Sequence, residues 1–273
     1  MARQWRLIVD SPADGAHNMA VDEALLTSVL QGISIPVLRL YAWSPPCLSL
    51  GYGQRASDAD LERIAAFGWQ LVRRPTGGRA ILHTDELTYS VCLPADHPLV
   101  EGDVVQSYRR LSEALLVGLR LLGAQPQAER AAHGGTNGPV CFETPSHYEI
   151  TVEGRKLIGS AQVRRKEHHG GVLQHGTLPL YDDITRICDA LSYHEPEERA
   201  AAKTQVSLRA CTLQDVLGYR VAWQAAASAI AQGFATTFDL EFTESLLSPE
   251  ESAHAAHLAA QVYSHESWTF KRQ

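Results

Sequence analysis

The sequence predicts an α+β fold with a largely antiparallel sheet flanked by helices. Three observations lead there. Short strand-like runs are bounded by glycine and proline turns. Two of them join through the pair Glu153-Gly154, a hairpin signature. Amphipathic helical stretches accompany these runs without the strict strand–helix–strand alternation of a parallel sheet.

The elements follow in order. Asn18 is expected to cap a helix reaching about residue 31, with Met19, Leu25, Leu26 and Val29 inward. Pro36 opens a strand over 37–43, Ser44-Pro-Pro46 turns the chain, and 47–50 reads as another strand. Residues 58–67 read as a helix closed by Gly68. A strand over 69–74 is broken by Pro75-Thr-Gly-Gly78 and resumes over 80–83, and 86–93 alternates as a strand. Residues 104–122 form the clearest amphipathic helix, ended by Gly123. After the glycine-rich loop 133–139, Tyr148, Ile150 and Val152 alternate with His147, Glu149 and Thr151. The turn at Glu153-Gly154 leads to strands over 156–163 and 172–180. The remainder reads as mostly helical, over 183–191, 212–217, 220–238 and 248–263. There is no internal repeat, linker or low-complexity tract, so 1–273 reads as a single domain with a helical C-terminal segment, 212–273.

The chain has 273 residues, 45% hydrophobic and 20% charged, which is ordinary globular composition. No apolar run approaches the roughly 18–20 residues that cross a bilayer, and the N-terminus lacks a signal-peptide core. A cytoplasmic protein, with no membrane partner, is expected. The net charge of −7 argues against a general nucleic-acid binder. Basic residues still cluster at Arg73-Arg74, Arg79, Arg155-Lys156 and Arg164-Arg165-Lys166. They are either solvated surface or a local positive patch for an acidic partner.

The five cysteines are scattered and form no C-x-x-C, which argues against a disulfide framework or zinc cluster. Cys47 and Cys92 lie in apolar strands and read as small core residues. Cys188 and Cys211 lack polar company. Cys141 follows the glycine-rich loop just ahead of Pro145, and is either a buried loop cysteine or a nucleophile. Lys156, beside the hairpin turn, is either solvated or an electrostatic partner for that thiol and its acyl group. Arg73-Arg-Pro-Thr-Gly-Gly-Arg-Ala-Ile-Leu-His83 holds paired glycines that let backbone N–H groups approach a ligand. It fits neither the Walker nor the Rossmann pattern. The twelve histidines show no H-E-x-x-H, so surface and core roles are expected for most of them, with His83 or His147 a candidate base.

Taken together these segments resemble the biotin/lipoate protein ligase superfamily. The resemblance runs through Asn18-Met-Ala-Val-Asp-Glu-Ala-Leu-Leu26, Leu38-Arg-Leu-Tyr-Ala-Trp-Ser-Pro-Pro46, Leu48-Ser-Leu-Gly51 and Arg73-Arg-Pro-Thr-Gly-Gly78. It continues through Gly154-Arg-Lys-Leu-Ile-Gly-Ser-Ala-Gln162 and Leu173-Gln-His-Gly-Thr-Leu178. It implies a mixed sheet flanked by helices in a biotin/lipoate ligase-like catalytic domain. Lys156 falls on the family's invariant lysine. Where lipoate ligases carry a third glycine this chain has Arg79, and a cysteine stands upstream of the lysine. Those departures resemble the branch of octanoyl-carrier-protein:protein octanoyltransferases whose nucleophile would fall at Cys141.

The resemblance implies an octanoyl group taken from octanoyl-acyl-carrier protein and passed to a lipoyl-domain lysine, such as that of the glycine-cleavage H protein. Cys141 and Lys156 would be catalytic. Arg74, Thr76, Gly77, Gly78, Arg79, His83 and Gly159 would bind the acyl group. Thioester exchange is near-neutral and thioester-to-amide transfer is downhill, so no cofactor, ATP or metal is expected. An ATP-dependent lipoate–protein ligase, an octanoyl amidotransferase between lipoyl domains and a non-catalytic lipoyl-domain binder are the alternatives.

Overall fold

A computed structural model describes residues 3–129 and 149–272. Its eleven strands are β1 (Arg3–Val9), β2 (Val37–Tyr41), β3 (Cys47–Leu50), β4 (Gln70–Arg73), β5 (Ile81–His83), β6 (Glu86–Pro94), β7 (Gln127–Glu129), β8 (Glu149–Val152), β9 (Arg155–Arg165), β10 (Gly171–Pro179) and β11 (Leu240–Glu244). Eight of these, in the order β11-β1-β2-β6-β10-β9-β8-β7, form the large sheet, while β4-β3-β5 form a small one. In the large sheet β1 runs parallel to both β2 and β11, and the other pairings are antiparallel. The mixed, largely antiparallel sheet matches the expectation.

The helices are α1 (Gly15–Leu30), α2 (Leu61–Ala66), α3 (Val104–Leu121), α4 (Pro196–Arg209), α5 (Leu213–Leu217), α6 (Trp223–Phe238), α7 (Pro249–Leu258) and α8 (Glu266–Thr269). Side chains of successive strand residues point to opposite faces. On one face Trp5, Leu7, Leu38, Leu40, Leu87, Tyr89, Val91 and Leu93 meet the apolar sides of α3 and α6. On the other face Ile8, Val37, Tyr41, Cys92 and Leu173 pack with α1 and α7. The small sheet has its own cluster, built from Leu48, Leu50, Ile64, Ala80, Ile187 and Val206. The tight turn from β8 to β9 has both Glu153 (φ 51°) and Gly154 (φ 74°) in the left-handed region, as a two-residue hairpin loop requires.

Several elements differ from expectation. Asp14, not Asn18, caps α1, accepting from the His17 N–H. Asn18 is buried one turn inside, where its Nδ2 donates to the Ala13 and Ala42 carbonyls and its Oδ1 accepts from Arg39. The helix expected over 58–67 is shortened to α2 because Ala59 bridges to Leu191 and Asp60 then caps. Residues 184–189 wind as a 3-10 turn rather than an α-helix. α4 was not anticipated, and neither was β11, which lies in the segment read as helical and adds to the sheet edge beside β1.

The face toward α1 carries a polar layer centred on Asp22, which is fully buried on α1. Its carboxylate accepts from Arg39 Nη1 at 2.8 Å, Tyr41 OH at 2.9 Å, Ser90 Oγ at 2.8 Å and His175 Nδ1 at 3.1 Å. One side chain thereby ties α1 to β2, β6 and β10. Burial alone would raise the Asp22 carboxyl. The His175 hydrogen bond and the charge of Arg39 outweigh burial and hold it below its usual value. Burial pushes His175 below the ordinary 6.5, against the opposing pull of Asp22.

The sign of the pH dependence follows. Above 6.5 this residue is neutral in both folded and unfolded chains. As pH falls below 6.5 the unfolded chain takes up a proton that the folded chain resists, so stability is lost toward acid. Urea unfolding at stepped pH is expected to show His175→Asn losing less stability between pH 7 and pH 5 than the wild type. The difference is at most about 1.4 kcal/mol per pH unit. Parallel curves would contradict this role for His175.

Candidate active site

A cavity of about 420 Å³ opens between the polar face of the large sheet and the small sheet. Met19 of α1 and Tyr41 of β2 form part of its wall, with Trp43 just beyond β2. The small sheet contributes Ser49, Ile81 and His83, and the loop Gly77-Gly78-Arg79 adds to the lining. β9 supplies Gly159, Ser160 and Ala161, and β10 supplies His175, Gly176 and Thr177. A mostly apolar space with a few converging polar groups is the usual form of a small-ligand site.

The glycine loop is held by backbone contact. Gly78 has φ +94°, and a Cβ on Gly51 would lie 2.0 Å from the Gly78 carbonyl oxygen. Only glycine fits at either place. Arg74, 3% exposed, braces the loop from within. Its Nη2 donates to the carbonyls of Gly77 at 2.8 Å and Arg79 at 2.7 Å, and its Nη1 donates to the Ser49 carbonyl at 3.0 Å. Arg73 is buried too, donating to the carbonyls of Gly51, Gln54 and Thr269. The reading of Arg73-Arg74 as part of a surface positive patch is therefore corrected. Five guanidinium donors suit a buried cluster of carbonyls, and both side chains serve that end.

Two histidines face the cavity, and each has a hydroxyl on one side and a carboxylate on the other. His83 lies 2.8 Å from Ser49 Oγ through Nε2 and 2.7 Å from Glu86 Oε1 through Nδ1. The Trp43 ring stacks on its imidazole, centroids 3.9 Å apart and planes 9° from parallel. His175 lies between Asp22 and Thr76, with Nε2 2.7 Å from Thr76 Oγ1. A carboxylate only accepts, so Nδ1–H of each ring donates to it and Nε2 accepts the hydroxyl proton.

Of the residues expected to bind the acyl group, the structure brings Arg74, Gly77, Gly78, Arg79, His83 and Gly159 to this cavity. Thr76 is buried behind it and reaches it through His175. Lys156 lies on β9 three residues before Gly159, and is 2% exposed, so it is no solvated surface lysine. Its Nζ donates to Glu149 Oε1 at 2.6 Å. It is not among the lining residues in the described part of the chain. Cys141 lies outside the described residues, as do His133 and His147.

Cys47, Cys92, Cys188 and Cys211 are all buried. Burial raises the thiols of Cys47 and Cys92, and pushes Cys211 up to about 11, so these thiols resist ionisation. Sequence reasoning missed Tyr41, Trp43, Ser49, Glu86 and the cavity role of His175. Their signals were weak, because each sits in a run that reads as ordinary strand. His175 was one of the histidines expected to serve only surface or core, and it is buried yet part of the cavity wall.

Residues 14–235 match the lipoyl protein ligase A/B catalytic domain family. An octanoyltransferase LipM of Moorella thermoacetica is 41% identical over 275 residues, covering 99% of both chains. The octanoyltransferase LipM of Bacillus subtilis is 38% identical over 278 residues, covering 98% of each. Among solved structures, a bi-partite lipoate protein ligase from Thermoplasma acidophilum superposes with a TM-score of 0.82 at 25% identity, over 98% of this chain and 96% of that one. The chain belongs to the lipoyl protein ligase A/B catalytic domain family.

Proposed function

We propose that this enzyme is an octanoyltransferase of lipoate biosynthesis that carries the octanoyl group as a thioester on Cys141. The donor is an octanoyl-acyl-carrier protein and the acceptor is a lysine of a lipoyl domain. One observation carries the reading. Octanoyltransferases match the chain from end to end, at 38% identity or more over 98% of its length in the two relatives compared.

The chemistry runs in two steps. The Cys141 thiolate attacks the carrier thioester and pantetheine leaves as a thiolate, which takes up the proton that Cys141 gave up on ionising. The acceptor amine then attacks the new thioester, forms the amide and frees Cys141. Lys156, with Glu149 as its ion-pair partner, donates to the acyl carbonyl as negative charge develops there. The alkyl chain lies in the cavity against Tyr41, Trp43, Ile81 and the glycine loop, with Arg79 and Gly159 beside it. Each buried methylene contributes about 0.8 kcal/mol. Arg74 and Thr76 act by holding the loop and His175 in place. The strand ends at Arg164 and Arg165, followed by Lys166, offer positive charge to the acidic surfaces of both partners.

The likeness to lipoate ligases favours a second reading, in which free lipoate is activated with ATP. One incubation separates the two. Octanoyl-carrier protein and an apo lipoyl domain, without nucleotide, should yield the octanoylated domain by intact mass. A requirement for ATP and free acid would support the ligase instead. In the same assay Cys141→Ser is expected to abolish the octanoyl-enzyme adduct, and its persistence would refute the nucleophile. Lys156→Ala, checked for fold by its thermal melt, is expected to slow acylation by about 10²-fold. Normal acylation by the folded variant would remove Lys156 from the mechanism.

A further inference from the structure

A hydroxyl, an imidazole and a carboxylate stand in line at the cavity wall, joining the candidate base His83 to Ser49 and Glu86. Ser49 comes from β3, His83 from the end of β5, and Glu86 from the start of β6. Pairing of β3 with β5 sets Cys47 opposite His83, which places Ser49 diagonally across from the imidazole. The turn at Thr84-Asp85 returns the chain so that Glu86 meets Nδ1. Ser49 and His83 both border the cavity, so the line opens toward the ligand space.

The charges differ between the two histidine relays. Asp22, beside His175, is already paired with the Arg39 guanidinium. Glu86 is 4% exposed and, among the described residues, accepts from His83, from Thr88 at 2.5 Å and from Thr177 at 3.3 Å. Those hydroxyl and imidazole donors bring it no lysine or arginine charge. A buried carboxylate of this kind is set to compensate a positive charge that appears on the imidazole during reaction. Arg74 Nη1, 3.2 Å from Ser49 Oγ, orients the hydroxyl without blocking its donation to His83.

We propose that Ser49, His83 and Glu86 form the proton relay of the amide-forming step. This rests on the octanoyl-transfer reading. As the acceptor lysine amine attacks the thioester carbon, Ser49 Oγ takes the N–H proton while its own proton passes to His83 Nε2. Glu86 balances the imidazolium. The C–S bond then breaks with its electron pair on sulfur. The proton returns from His83 through Ser49 to that thiolate. The products are an amide and a thiol, and the relay is reset. Ser49 is the catalytic residue of the step, and His83 and Glu86 act through it.

Single-turnover kinetics on the full chain test the relay. The octanoyl-enzyme is formed from octanoyl-carrier protein, and its decay is followed after adding the apo lipoyl domain. Ser49→Ala should load with octanoyl about as fast as the wild type and transfer it about 10²-fold more slowly. His83→Ala should show the same split, and added imidazoles should restore transfer at rates that rise with their basicity. Equal slowing of both steps in folded Ser49→Ala, or rescue indifferent to basicity, would make the trio only a wall of the cavity and overturn the relay. If His83→Ala does not fold, the split in Ser49→Ala decides alone. If the wild type forms no octanoyl adduct, the thioester reading fails by itself. The relay is then read in multiple turnover, where Ser49→Ala must still slow transfer about 10²-fold, and unchanged turnover overturns it.

Discussion

The buried carboxylate of Asp22 is the constraint on which the rest of the molecule depends. It joins α1 to three strands of the large sheet through Arg39, Tyr41, Ser90 and His175. Removing one partner from such a group leaves a charge without compensation in the interior, which costs about 3–5 kcal/mol. Apolar packing could have filled the same volume. The polar arrangement does something packing cannot: it fixes the tautomer of His175 and so the orientation of Thr76, next to the glycine loop. The fold and the cavity thus share one electrostatic centre.

The cavity has two layers of support. Behind the glycine loop, Arg74 gathers the carbonyls of Ser49, Gly77 and Arg79. Behind Gly51, Arg73 gathers carbonyls from Gly51, Gln54 and the C-terminal Thr269. Trp268 returns the contact by donating its indole N–H to the Arg73 carbonyl. The last helix therefore buttresses the strand that leads into the loop. Two arginines that are adjacent in sequence point to opposite sides of one strand, and each stabilises a different stretch of irregular backbone. Both serve the structure, although Arg74 borders the ligand space together with Arg79.

Much of this was legible in the sequence where local chemistry decides. The strand β3 lies between Pro46 and Gly51, and its bounds match expectation at both ends. The β8–β9 turn was set by Glu153-Gly154, whose positive φ values the pair tolerates. Where distant partners decide, the reading failed. Asn18 looks like a helix cap, but Arg39 and two carbonyls from other segments claim its side chain. α4 buries only Val206 and leaves Leu208 exposed, so it has no apolar stripe to read. β11 exists because β1, far away in the chain, offers it an edge. The site behaves likewise. The glycine loop could be picked out by its residues. Ser49 and Glu86 look like ordinary strand residues until β3, β5 and β6 bring them to His83.

The central claim is that the cavity between the two sheets holds the acyl chain, with its carbonyl delivered to Lys156 and its thioester to Cys141. A crystal structure of the chain trapped as its octanoyl-enzyme tests this most directly. The account predicts the alkyl chain enclosed by Tyr41, Trp43, Ile81 and the glycine loop, with the carbonyl oxygen within hydrogen-bonding distance of Lys156 Nζ and the thioester on the Cys141 sulfur. An octanoyl group attached to another residue, or lying outside the cavity, would contradict it.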